Sequence, residues 1–172
     1  MQPLNRRKLI RQLGYLPAVA AGPVFADEPH IEQRTIPSTG EAIAAIGMGS
    51  WITFDIAPTD PGLKTRVNVL KAFFDGGGEM IDSSPMYGRS EAVIGQCLHA
   101  LKFPAATFSA SKVWTSGKES GIAQMQESAQ LWQTPRFDLM QVHNLVDWRA
   151  HLATLFAMKE KGDLKYVGIT TY

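Results

Sequence analysis

Four side chains of complementary chemistry follow one another along this sequence: a carboxylate at Asp82, a phenol at Tyr87, an ammonium at Lys112 and an imidazole at His143. A phenol is a poor acid near neutrality, because its ordinary pKa is about 10. A neighbouring ammonium favours the phenolate, and a carboxylate paired with that ammonium keeps it charged and in place. Tyr87 tuned in this way can hand a proton to an oxygen that is gaining negative charge, while His143 hydrogen-bonds the same oxygen and orients it. Those are the requirements of carbonyl reduction apart from the hydride itself. Singly, each residue has an ordinary reading: Asp82 a turn residue, Tyr87 a packed aromatic, Lys112 an inward strand lysine, His143 a satisfied core histidine. Their joint placement at successive strand ends is what points to a site.

That placement comes from alternating elements. Arg34 to Pro37 and Ala42 to Ala45 flank Ser38-Thr39-Gly40-Glu41 and read as a small hairpin. Ile43 to Trp51 is a first β-rich run, after which Leu63, Val67, Leu70 and Phe74 recur at helical spacing until Gly76-Gly77-Gly78. Met80 to Asp82 is the second strand, with Ser90 as the expected N-cap of a helix striped by Val93, Ile94, Cys97, Leu98 and Leu101. Thr107 to Trp114 is the third, and Ser116 with Glu119 forms an expected capping box ahead of Ile122, Met125, Ala129 and Trp132. Phe137 to Val142 and Leu164 to Ile169 are the fourth and fifth, separated by a stripe of Trp148, Leu152, Leu155 and Phe156.

Strand, helix, strand at this spacing implies parallel pairing with right-handed crossovers. A doubly wound open sheet and a partial (β/α)8 TIM barrel both fit. Asp82, Lys112 and His143 at the C-terminal ends of successive strands favour the barrel, where such ends carry chemistry. Gly47-Met48-Gly49 lacks the third glycine of a phosphate-binding turn, and the Gly76 to Gly78 triplet lies between helix and strand, the wrong order for one. The fold class is therefore α/β, a TIM barrel covering about strands 1 to 5 behind an N-terminal hairpin.

Composition narrows the function classes. The 172 residues are 45% hydrophobic with a net charge of +1, which gives no basic excess for nucleic acid and no signature of disorder. A single cysteine, Cys97, excludes an intramolecular disulfide, and the four histidines show no i, i+4 ligand pair. Cys97 belongs to an apolar stripe and reads as a buried hydrophobe, whereas His99 and His151 read as solvent-facing helix residues. No apolar run is long enough to span a membrane stably. Residues 1–26 read as an export signal: Arg6-Arg7 with Lys8 and Arg11, a weakly apolar Leu13 to Phe25 and small residues at Val24-Phe25-Ala26. The double arginine resembles a twin-arginine leader, which predicts a periplasmic protein. Removal of that segment leaves 13 cationic against 16 acidic side chains, with a short linker at 27–33 before a domain at 34–172.

Five segments together resemble, in order and spacing, the aldo-keto reductases: Gly47 to Trp51, Ile81 to Gly88, Ser111 to Trp114, Asp138 to Asn144 and Tyr166 to Ile169. The resemblance implies an NADPH-dependent barrel that reduces a small-molecule aldehyde or ketone, with NADP favoured over NAD. It places the proton donor on Tyr87, its tuning pair on Lys112 and Asp82, and the substrate orienter on His143. It assigns Ser50, Asp82, Thr170 and Thr171 to cofactor contacts and Trp51, Trp114 and Asn144 to the substrate pocket. In the family the fifth strand ends in Ser-Asn, which grips the nicotinamide carboxamide. Thr170-Thr171 stands there instead, and a threonine replaces the serine hydroxyl but not the asparagine amide.

The sequence also stops at the fifth strand, so the reading is a truncated barrel whose bare edges invite self-association. Two other functions remain open at this stage. One is a catalytically silent half-barrel that binds without turnover. The other is a Schiff-base lyase with Lys112 as nucleophile, which the Asp82 pairing disfavours because it keeps the ammonium protonated.

Overall fold

Two sheets form among the described residues, one small and one that carries the site. The computed structural model describes residues 31–57 and 59–171. The export signal expected at 1–26 and most of the expected linker lie outside them. The hairpin pairs β1 (Gln33–Thr35) with β2 (Ala42–Ala44) in antiparallel register, so Gln33 belongs to a strand and not to the linker. Five parallel strands follow, β3 (Met48–Gly49), β4 (Met80–Asp82), β5 (Phe108–Val113), β6 (Phe137–Val142) and β7 (Leu164–Ile169), each hydrogen-bonded to the next in sequence order. A doubly wound sheet reverses its strand order at a switch point; this one never reverses, which is how a barrel winds.

Four helices provide the crossovers: α1 (Leu63–Asp75), α2 (Ser90–Ala100), α3 (Lys118–Trp132) and α4 (Trp148–Lys161), and a 3-10 turn lies at His143–Leu145. The predicted stripes of the first three helices are the faces they turn to the core, whereas in α4 Leu155 is buried and Leu152 half-buried while Trp148 and Phe156, expected in the same stripe, are 40% and 52% exposed. Leu70, Ile94, Leu98, Met125, Trp132 and Leu155 pack with the outward strand residues Ile81, Met140 and Val142 in one core. Burial of side chains of this size stabilises by roughly 1.5–3 kcal/mol each. Cys97 is buried there, and burial pushes its thiol pKa up to about 11, so it is a packing residue. Gly162 ends α4 at φ +84°, a backbone conformation that other residues adopt at a cost.

Several local expectations need correction. The first strand of the parallel sheet is only Met48–Gly49, because the chain bends after β2 instead of running extended from Ile43 to Trp51. Ser90 does not cap α2; it is the first helical residue, and its hydroxyl donates to the Ser50 carbonyl at 3.2 Å. The Ser116/Glu119 capping box does not form either. Gly117 precedes α3, and its N–H donates to Asp147 Oδ2 at 2.8 Å, a cap supplied from the next loop. His151 is fully buried, not solvent-facing, with Nε2 2.7 Å from the Thr115 carbonyl and its ring against Gly121, where any Cβ would collide with it.

The hairpin is tied to the N-terminal ends of the strands. Lys165 Nζ donates to Glu41 Oε1 at 2.5 Å, the Tyr166 hydroxyl donates to the other oxygen of Glu41, and the Ala44 N–H donates to Glu79 Oε2 at 2.9 Å. The two ion-pair partners shift in the expected directions: bonds from Lys165 and Tyr166 lower the Glu41 pKa, and the bond to Glu41 raises that of Lys165. The hairpin thus occupies one end of the sheet and leaves the C-terminal strand ends for chemistry. No helix among the described residues is long and apolar enough to cross a membrane.

Candidate active site

Side-chain alternation aims Asp82, Lys112 and Gln141 to the same side of the sheet, and parallel register sets Lys112 opposite Gln141. Lys112 is 3% exposed. Its Nζ donates to Asp82 Oδ2 at 2.5 Å and to the Ser83 carbonyl at 2.7 Å. Both acceptors come from the end of β4, thirty residues earlier, so the sheet itself builds the pair. A buried cation needs such partners, since desolvation without them costs several kcal/mol.

Tyr87 follows on the loop after β4, where Tyr87 N–H donates to the Ser84 carbonyl at 2.9 Å and Met86 N–H to Ser84 Oγ at 3.4 Å. That turn sets the phenol beside the pair: Lys112 Nζ is 4.9 Å from the Tyr87 ring centroid. The His143 ring stands edge-on to Tyr87, with centroids 6.0 Å apart and planes at 85°. Among the described residues the Tyr87 hydroxyl has no hydrogen-bond partner, so none of them holds its proton.

His143 opens the 3-10 turn after β6 and is largely buried. Burial, followed by the Lys112 charge, lowers its pKa, and Asp82 opposes them only in part. Both lowering effects favour the neutral ring. Its Nδ1 lies 2.6 Å from Thr170 Oγ1, which also accepts the Asn144 N–H at 3.0 Å. Thr170 N–H in turn donates to the Val142 carbonyl at 2.9 Å, so the end of β7 holds the histidine turn in place.

Other expected site residues divide into two groups. Ser50 is buried at the foot of the first loop; its N–H donates to the Asp82 carbonyl at 3.1 Å and its hydroxyl to Ser83 Oγ at 2.9 Å. Trp51 is 65% exposed, with its ring centroid 6.4 Å from that of Tyr87. Asn144 is half-buried at the same mouth in a left-handed conformation, φ 52°. Trp114 and Thr171 stand at the rim with exposed side chains. Among the described residues the Trp114 ring stacks on none of the four chemical groups, although its backbone is gripped by Gln124, which accepts its N–H at 2.6 Å and donates to its carbonyl at 3.2 Å.

Two contributors escape a reading of spacing alone. Gln141 Nε2 donates to Asp82 Oδ1 at 3.0 Å. Glu91, 2% exposed, lies behind Lys112, accepting from Ser111 at 2.6 Å, Ser128 at 2.9 Å and Trp132 at 3.2 Å. Burial raises its pKa, and those three bonds together with the Lys112 charge offset part of the rise. The signal for Gln141 was its place two residues before His143, near the C-terminal end of β6 where the site is built; for Glu91 nothing local distinguished it from a helix-surface acid.

The Lys112 ammonium, bonded to a carboxylate and a carbonyl, offers no lone pair for attack on a substrate carbon, which argues against Schiff-base chemistry. A groove of about 430 Å³ lies away from the phenol, on the open flank of β3, lined by Met48, Phe54, Arg66 and Val69 among others.

The profile of the Aldo/keto reductase family matches residues 45–172. The methylglyoxal reductase YeaE of Escherichia coli K12 is 30% identical over 118 residues, covering 66% of this chain and 40% of its own length. The thermostable aldo-keto reductase Tm1743, solved with epalrestat, superposes with a TM-score of 0.71 at 22% identity over 83% of this chain and 54% of its own. An aldo-keto reductase of Klebsiella pneumoniae, solved with NADP and acetate, gives 0.65 at 24% identity over 76% and 46%. The chain thus spans about half the length of these relatives or less, and it corresponds to the barrel portion that holds strands β3 to β7.

Proposed function

This chain belongs to the aldo/keto reductase family, and on that premise we propose that it forms the catalytic half of an NADPH-dependent reductase of small aldehydes or ketones. The supporting observation is the Lys112 ammonium, fixed between Asp82 and the Ser83 carbonyl and facing the ring of the Tyr87 phenol.

The strand ends fit one end of a nicotinamide cofactor. A Cβ added at Gly49 would meet nothing within 4 Å, so there is open space beside the Asp82 strand end. The half-buried Asn144 amide offers the donor and acceptor pair that a carboxamide needs. Thr170 and Ser50 shape this shelf indirectly, because their hydroxyls already serve His143 and Ser83. Asn144 would hold the ring, and a bound NADPH would supply the hydride.

The remaining steps belong to the chain's own groups. Thr170 Oγ1 already accepts the Asn144 N–H, and donating its own proton to His143 Nδ1 satisfies the hydroxyl as both acceptor and donor. We assign the ring proton to Nε2 on that basis, where it can donate to a carbonyl oxygen and orient it. Tyr87 delivers its phenolic proton to that oxygen as negative charge builds. The Lys112 cation stabilises the phenolate left behind, and Asp82 anchors the cation. Trp51 beside Tyr87 supplies an apolar wall against which a small carbonyl substrate can pack.

Deuteride transfer tests this reading. Incubation of the full chain with NADPH deuterated at C4 and methylglyoxal as probe should give an alcohol carrying deuterium on the former carbonyl carbon. Absence of labelled alcohol together with absence of saturable NADPH fluorescence would leave the silent half-barrel. Two further proposals rest on the sequence and on the sheet edges: that residues 1–26 export the protein, checked by periplasmic fractionation, and that the outer edges of β3 and β7 self-associate.

A further inference from the structure

Asp82 has two carboxylate oxygens and both are assigned. Oδ2 faces Lys112 at 2.5 Å, and Oδ1 accepts from Gln141 Nε2 at 3.0 Å. An ionised carboxylate only accepts, so the amide nitrogen is the end of Gln141 that faces it. Asp82 is also the more accessible partner of the ion pair, its side chain 31% exposed against 4% for that of Lys112. Without a second restraint its carboxylate could turn toward water and leave the buried ammonium with the Ser83 carbonyl alone.

The sheet makes room for that restraint. Register sets Gln141 between Lys112 on β5 and Gly168 on β7. A Cβ at Gly168 would lie 3.1 Å from Gln141 Cγ, a close approach that would press on the glutamine stem. Glycine on one side thus lets the glutamine reach across the sheet to β4. An amide is also suited to the task electrostatically. A second cation at this position would compete with Lys112 for the carboxylate, and a carboxylate would repel it; a neutral donor orients Asp82 without altering the charge beside the phenol.

We infer that Gln141 is a positioning residue that locks the Asp82 carboxylate so that Oδ2 stays on Lys112. It acts through Asp82 and belongs with the reduction machinery of the preceding section, on which the inference rests.

Its test does not depend on turnover. Lys112 is labelled competitively with acetic anhydride in the folded full chain, its extent read by mass spectrometry against exposed Lys64, in the parent, Gln141→Met, Asp82→Asn and the double variant. Gln141→Met keeps length and removes the donor, and Gln141→Leu serves if the first fails to fold by circular dichroism. Loss of one hydrogen bond to a charged group should raise the Lys112-to-Lys64 ratio about fivefold. Asp82→Asn should raise it further, and the double variant should match Asp82→Asn alone. A Gln141→Met ratio within about twofold of the parent, or an independent increment on top of Asp82→Asn, would overturn the inference. A parent that labels as expected but fails to reduce carbonyls would instead count against the proposed reaction, leaving the positioning role intact.

Discussion

Lys112 and Asp82, thirty residues apart, meet at 2.5 Å with the lysine almost fully enclosed and the aspartate partly open to water. The asymmetry makes the two truncations unequal. Asp82→Asn leaves the buried cation neutral acceptors only, with no countercharge, and removing one charge of a buried pair costs about 3–5 kcal/mol. Lys112→Met leaves a carboxylate that reaches water and keeps Gln141, and it fills the same space. It should cost about 1 kcal/mol or less. Urea unfolding at pH 7 compares them, and equal losses would mean that the lysine is not the trapped partner.

His143 should make stability fall in mild acid. Its folded pKa lies below the ordinary 6.5 because of burial first and the Lys112 charge second. The unfolded chain therefore takes up the proton first, and stability present above pH 6.5 is lost as pH falls from there through the folded value. Unfolding free energies at pH 7.5, 6 and 5 should decline more steeply for the parent than for His143→Gln. Parallel curves would remove the burial argument for a neutral imidazole.

Glu91 should act with the opposite sign. Burial raises its folded pKa above 4.5, so its contribution is fully present below that value and is lost as pH rises through the folded one. Glu91→Gln abolishes this dependence while leaving an oxygen for Ser111 or Ser128. The stability difference between parent and variant should thus favour the parent most at acid pH. A difference that grew toward neutral pH would mean that the three donors outweigh the desolvation.

Much of this was legible from residue types and order. The parallel strands, the helical stripes and the four chemical groups are set by local periodicity and by strand-end position, which the sequence displays directly. Capping was not, because the α3 cap comes from Asp147 and the Ser90 hydroxyl serves Ser50, both partners remote in sequence. His151 looked like a surface residue for the same reason: it is buried because Gly121, on another helix, leaves space for its ring. Glu91 was invisible as a contributor because hydrogen bonds from three elements leave no mark on spacing, and for Gln141 the spacing marked its side of the sheet but not its bond to Asp82 on another strand.

The sheet edges give a further expectation. β3 and β7 each have one hydrogen-bonded neighbour among the described residues, and Ile169 at the end of β7 is 53% exposed. Such edges template further pairing. Sedimentation velocity should show association that rises with protein concentration, and Ile169→Lys should reduce it, since an edge lysine opposes strand addition. A monomer of unchanged sedimentation coefficient at high concentration would contradict this.

The phenolic proton of Tyr87 is the claim on which the chemistry turns, and Tyr87→Phe removes it while keeping the ring that faces Lys112 and His143. The measurement is the steady-state rate of NADPH oxidation with methylglyoxal for parent and variant, alongside NADPH affinity by fluorescence. A general acid contributes about 10²–10⁴-fold, so the rate should fall at least a hundredfold with cofactor affinity unchanged. A variant that turns over within a few-fold of the parent would contradict the assignment of Tyr87 as proton donor.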